Sequence, residues 1–291
     1  MNLTGAFKKR FIIVKGFISF VISHYFEDDC SYRASALAFT SLLAIVPLLM
    51  VAFSIWSLFP AFENYSQPVQ NFIFENFVPS TGKIVQNYLQ QFATQISSLS
   101  ALSVVFLFIT AILLMITIEH SLNKIWRVHA DRRGITAFLL FWAILSLAPV
   151  FIGLSLVASS VLFSLPYFLN HPVPSFVLSA LPGLLSLIGF TFLYIVVPNC
   201  PVKFSHALTG ALVATLLFET AKIAFAWYIS HYNSYQLLYG AFASIPIFFV
   251  WVYWVWMITL IGAEVSYAMS VKHQYRTAEK KPGQGLAHPG K

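Results

Sequence analysis

The chain has 291 residues, 58% of them hydrophobic and only 9% charged, with a mean hydropathy of +0.77. Soluble globular proteins carry about 25% charged residues, so an aqueous fold is excluded. The net charge of +7 would suggest nucleic-acid binding in a soluble protein, whereas in a membrane protein its placement matters more than its size. Residues 34–62, 84–118, 134–202 and 223–263 contain no Asp, Glu, Lys or Arg. Uncharged apolar runs beyond about 18 residues read as transmembrane helices, and four such runs predict a polytopic membrane protein.

At the amino end, residues 11–26 are apolar but contain Lys15 and are bracketed by Lys8, Lys9, Arg10 and Arg33. Glu27, Asp28 and Asp29 follow, where a signal peptide would need small residues. This pattern predicts a helix lying in the cytoplasmic interface, within a cytoplasmic segment 1–33. The first span is placed near 34–59 and the second near 99–118. The long run 134–202 is broken by Asn170, His171, Pro172, Val173 and Pro174, and so divides into spans near 136–165 and 175–197. Two more follow near 205–230 and 244–268. The prediction is an all-α bundle of six transmembrane helices within a domain 34–270. The tail 271–291 is polar and holds Pro282, Gly283, Gly285 and Pro289, which predicts a disordered cytoplasmic segment.

The first external loop is the only sizeable one. In it Val69, Phe72, Ile73 and Phe77, and then Ile84, Val85, Tyr88, Leu89, Phe92 and Ile96, recur at helical spacing. Two amphipathic helices are expected there, lying on the outer membrane surface or covering the bundle mouth. Of the 17 basic residues, 15 fall on one side of the six-span arrangement, Lys83 falls on the other and Lys222 lies inside a span. Basic residues collect on the cytoplasmic side, so both termini are expected there. Cys30 and Cys200 then face the cytoplasm as free thiols.

Ionisable groups inside a bilayer cost roughly 2.5 kcal/mol or more each and need a reason. Glu219 and Lys222 lie in the fifth span, ~21 and ~26 Å along the helix from Ser205. Three residues apart, they share a face and can neutralise one another. They are either a substrate or ion site facing an aqueous cavity, or an internal pair that fixes packing. Glu264 lies late in the sixth span, close enough to the cytoplasm to be partly hydrated, with Arg33 as its expected partner. Glu119, Asn123 and Arg127 follow at i, i+4 and i+8, one polar stripe as the second span ends, which is either a solvated helix end or a cytoplasmic gate. Trp126 stands where an interfacial anchor belongs. Pro47 and Pro149 should kink the first and third spans. Small residues four apart (Ala34 and Ala38, Ala207 and Ala211, Gly210 and Ala214) favour close helix contact. The aromatic run from Phe248 to Trp256 reads as an outer belt continued into the bundle.

With these segments in place, the chain resembles the YihY/BrkB (UPF0761-type) family of bacterial inner-membrane proteins over roughly residues 25–272. The resemblance rests on ASALAFTSLLAIVP at 34–47, TIEHSLNKIWR at 117–127, LFETAK at 217–222, SYQLLYG at 234–240 and IPIFFVWVYWVWMITLIGAE at 245–264. It implies a six-span inner-membrane protein. It also brings in Tyr235, Gln236, Tyr239 and Gly240 as motif positions of unknown role. The family's old label as a ribonuclease BN is regarded as misassigned, and members are otherwise described as uncharacterised or transporter-like.

No Walker loop, paired metal-binding His, nucleophile elbow or two-metal acidic cluster is present in the sequence, so no enzyme, cofactor or metal is expected. The lipid bilayer is the expected environment, and no nucleic-acid partner is expected. The leading expectation is a transporter or flippase-like protein for a lipid or small solute. The alternative is an envelope-integrity protein acting through partners. The sequence names no substrate and no oligomeric state.

Overall fold

A computed structural model describes residues 3–57, 101–128, 175–231 and 244–271. Among the described residues there are six helices and no strand: α1 Leu3–Glu27, α2 Cys30–Ser57, α3 Ala101–Ile125, α4 Ser175–Val196, α5 Phe204–His231 and α6 Ser244–Ser270. The expected third span with Pro149, the external amphipathic helices, Tyr235, Gln236, Tyr239, Gly240 and the tail lie outside the described residues. Two of the described helical stretches, Phe204–His231 and Pro246–Ser270, are long and apolar enough to cross a membrane.

Five helices fall where apolar periodicity and breakers place spans. The second continues past the span end at residue 118 to Ile125, carrying Glu119 and Asn123 at their expected helical spacing. The segment from Glu119 to Ile125 has good helix formers and no breaker, so only the cap described below stops it. Helix α2 continues through Pro47. Helix α4 contains Pro182, which cannot donate the bond to the carbonyl four residues earlier.

Helix α6 is the central element: α5, α2 and α1 all pack on it, α3 packs on α2, and α4 packs on α5. The core is built from small residues where helices approach and aromatic ones where they diverge. Ala34, Ala38, Ala207, Ala211 and Ala214 are fully buried. The α5–α6 crossing is closest at Gly210 and Gly262: a Cβ on Gly262 would overlap the Tyr194 hydroxyl and stand 2.7 Å from Ala214 Cβ. Tyr194, buried on α4, donates its hydroxyl to the Thr259 carbonyl of α6 at 2.7 Å. Further along, Trp251 packs between Phe218 and Phe225, and Trp256 donates its indole N–H to Ser41 of α2 at 2.9 Å. The aromatic run is therefore largely core in this part of the bundle. Outward, the helices show lipid-like faces: Leu216 and Ile223 on α5 are 68% and 74% exposed. Such a surface is stable only against hydrocarbon or a partner.

Candidate functional site

Among the described residues, two polar sites interrupt this apolar bundle. The first is built where α1 meets α2. Helix α1 ends in a two-residue corner, Asp28-Asp29, with Asp29 in the left-handed region (φ 52°) that Asp tolerates better than most residues. The Asp28 and Asp29 amides close back on the His24 and Phe26 carbonyls, and Arg33 N–H bonds the Asp29 carbonyl to start α2. The corner turns the Asp28 side chain into the protein, where it is fully buried.

Helix α3 ends opposite it. Val128 N–H bonds the Asn123 carbonyl and Arg127 N–H bonds the Lys124 carbonyl, the paired bonds of a Schellman cap. Arg127 holds the left-handed position (φ 58°) that glycine usually fills. This swings the guanidinium off the helix axis onto Asp28, with Nη1 2.5 Å from Oδ1, and its Cζ lies 5.9 Å over the Tyr267 ring. Burial alone would lower the Arg127 pKa, but the Asp28 charge and the Tyr267 hydroxyl outweigh it and hold the group above its ordinary value.

Glu264 reaches the same place from α6. It is fully buried, and its Oε1 accepts a long bond from the Cys30 thiol at 3.6 Å. Its charge and hydrogen-bonding neighbours are Asp28, Cys30 and Arg127. Partial hydration of Glu264 is thus corrected to complete burial, because the α1–α2 corner covers the end of α6. The expected partner Arg33 is engaged elsewhere, its Nε–H donating to the Asp28 carbonyl at 2.9 Å.

Glu119 and Asn123 of the expected stripe also face inward, while Arg127 stays exposed. Glu119 and Asn123 are 3% and 1% exposed, so this helix end is buried on one face while Lys124 and Arg127 are exposed on the other. The cover is the turn between α4 and α5, whose Asn199 N–H donates to Asn123 Oδ1 at 2.8 Å, while Asn123 Nδ2 lies 3.5 Å from Glu119 Oε1. Trp126, half-buried beside this stripe, packs on Tyr194. Neither Cys30 nor Cys200 is in a disulfide.

The second site is on α5. Lys222 Nζ lies 2.8 Å from Glu219 Oε2 within one helical turn, and 5.3 Å above the Phe218 ring. Glu219 Oε1 is buried without a hydrogen-bond partner and points toward Gly183, the residue after Pro182 on α4. The structure therefore keeps the Glu219–Lys222 pair together and sets Glu264 in the other cluster. Asp28, Asn199 and Gly262 were not legible as site residues. Asp28 entered the sequence reading only as one of three acids that argue against a signal peptide, and its one sequence sign is its place between two helical patterns.

An all-helical bundle that, among the described residues, has apolar outer faces and Asp28, Glu119 and Glu264 buried within it is a membrane protein. The chain belongs to the Virulence factor BrkB family, which matches residues 21–285. It is 61% identical over 283 residues to a UPF0761 membrane protein of Legionella pneumophila (strain Corby), covering 97% of this chain and 69% of that one. A UPF0761 membrane protein of Photobacterium profundum is 42% identical over 259 residues, with 88% and 81% covered. One of Pseudomonas paraeruginosa is 43% identical over 265 residues, with 89% and 64% covered. No solved structure matches the chain.

Proposed function

We propose that this protein is a six-span, non-enzymatic transporter or flippase-like protein of the bacterial inner membrane, with both termini cytoplasmic, moving a lipid or small solute past Glu219 and Lys222. One observation carries the reading. Glu219 lies midway along a 28-residue apolar helix, ~22 Å from its start, yet 37% of its side chain is open. A carboxylate at that depth in hydrocarbon is costly unless it lines an aqueous or headgroup-lined path. On the facing helix, Gly183 lets the Glu219 carboxylate approach the backbone next to Pro182.

In vesicles carrying a fluorescent phospholipid, Glu219→Gln and Lys222→Met should each reduce translocation at least tenfold while elution profile and helicity stay unchanged. Full translocation by both variants would remove the site. The second reading, a scaffold that works through partners, is favoured by the self-contained geometry of the pair, with Lys222 neutralised inside its own helix. Under it, the double variant keeps function in cells. For topology, a reporter fused after residue 275 should read cytoplasmic, and an external reading overturns the six-span arrangement.

A further inference from the structure

We propose that Asp28 and Glu264 form a proton-binding site, one exchangeable proton shared between two buried carboxyl groups held by Arg127 and Cys30. The chemistry is in the unfilled acceptors. Asp28 Oδ1 takes the Arg127 guanidinium and Glu264 Oε1 takes the Cys30 thiol. Asp28 Oδ2 and Glu264 Oε2 are buried and receive no donor. The two side chains share one buried cluster, each within the other's electrostatic reach, with Cys30, two residues after Asp28, bonded to Glu264. Ionised carboxylates only accept hydrogen bonds, so two facing carboxylates cannot satisfy each other, whereas one proton makes one of them a donor and fills both vacancies.

Burial of two like charges favours the same proton. Among the described residues Arg127 is the one cation in side-chain contact with these carboxyl groups, Arg33 meeting Asp28 at its backbone carbonyl and Lys124 acting at longer range, and like charges gathered in one buried cluster disfavour each other's ionised forms. Around the pair stand His24 and Tyr25 on α1, Cys30 and Arg33 on α2, Lys124 and Arg127 at the end of α3, and Tyr253 and Tyr267 on α6. Burial raises Asp28 above its ordinary 3.8, against the lowering by Arg127 and Lys124. The folded state thus holds a proton that the unfolded chain releases. The resulting stabilisation is complete below the ordinary carboxylate range and is lost as pH rises through the raised value. The pair titrates as a unit.

The site stands whether or not the protein moves a solute, and within the transport reading it would supply the coupling ion. Infrared spectra of the full chain in lipid vesicles should show an acid C=O band at neutral pH that shifts in heavy water. Glu219→Gln should keep the band. Glu264→Gln should lose it, because the amide supplies the missing donor and Asp28 then ionises against Arg127. The melting temperature of the wild type should fall as pH rises from mildly acid to alkaline, and Glu264→Gln should remove that fall. No acid band in the wild type, or a band undiminished in the Asp28→Asn, Glu264→Gln double variant, overturns the proposal. So does an absent band with a melting temperature raised by Na⁺ or K⁺, which would make the pair a metal-cation site. Each of these outcomes leaves the translocation result at Glu219 untouched.

Discussion

Gly262→Ala should destabilise the protein by about 3 kcal/mol, the upper end of what overpacking usually costs. The added methyl would overlap the Tyr194 hydroxyl and stand 2.7 Å from Ala214 Cβ and 2.9 Å from the Gly210 carbonyl. None of these can retreat cheaply. Tyr194 is fully buried and tied to Thr259, the carbonyl is backbone, and Ala214 is fully buried on α5. The helices would have to separate, shifting Glu264 two residues further along α6. Gly189→Ala is the matched control on α4, since nothing lies within 4 Å of the Cβ it would add. Thermal melting in detergent should show a large loss for Gly262→Ala and none for Gly189→Ala. Equal melting temperatures would mean that α5 and α6 do not cross at these glycines.

Arg127→Ala should cost about 2 kcal/mol. Breaking a fully buried ion pair costs about 3–5 kcal/mol, and the value is discounted here because 36% of the Arg127 side chain is exposed. Arg127→Gly separates charge from backbone. It loses the same ion pair but relieves the left-handed conformation, worth roughly 1 kcal/mol. The expected order of stability by denaturant or thermal melting is wild type, then Arg127→Gly, then Arg127→Ala. If the glycine variant is no more stable than the alanine variant, Arg127 does not occupy a left-handed cap. An arginine kept where glycine would be easier indicates that its contact with Asp28 outweighs the strain.

Much of the architecture was readable as periodicity and punctuation. The starts of α4, α5 and α6 lie within a residue of the placed spans, because breakers and charges mark where apolar helices must stop. The continuation of α3 beyond residue 118 was readable in the spacing of Glu119, Asn123 and Arg127, but its stop at Ile125 was not, since the left-handed cap falls on Arg127 and not on a glycine. Glu219 and Lys222 were found as a pair because three residues on one helix fix their neighbourhood. The Asp28–Arg127–Glu264 cluster was not found. Its members are 99 and 137 residues apart in the chain, and Asp28 and Arg127 meet through two left-handed helix ends at non-glycine residues. The inward turn of Glu119 and Asn123 depended likewise on a distant backbone amide, that of Asn199.

Composition and charge order suffice to establish that this chain lives in a bilayer, since the cost of burying charge is a property of each residue and its neighbours in sequence. Which charges then meet one another is a property of helix packing. The glycine crossing of α5 and α6, the α1–α2 corner and the α3 cap bring Glu264, Asp28 and Arg127 to one place. There, desolvation makes their mutual charge balance matter more than any of them would alone.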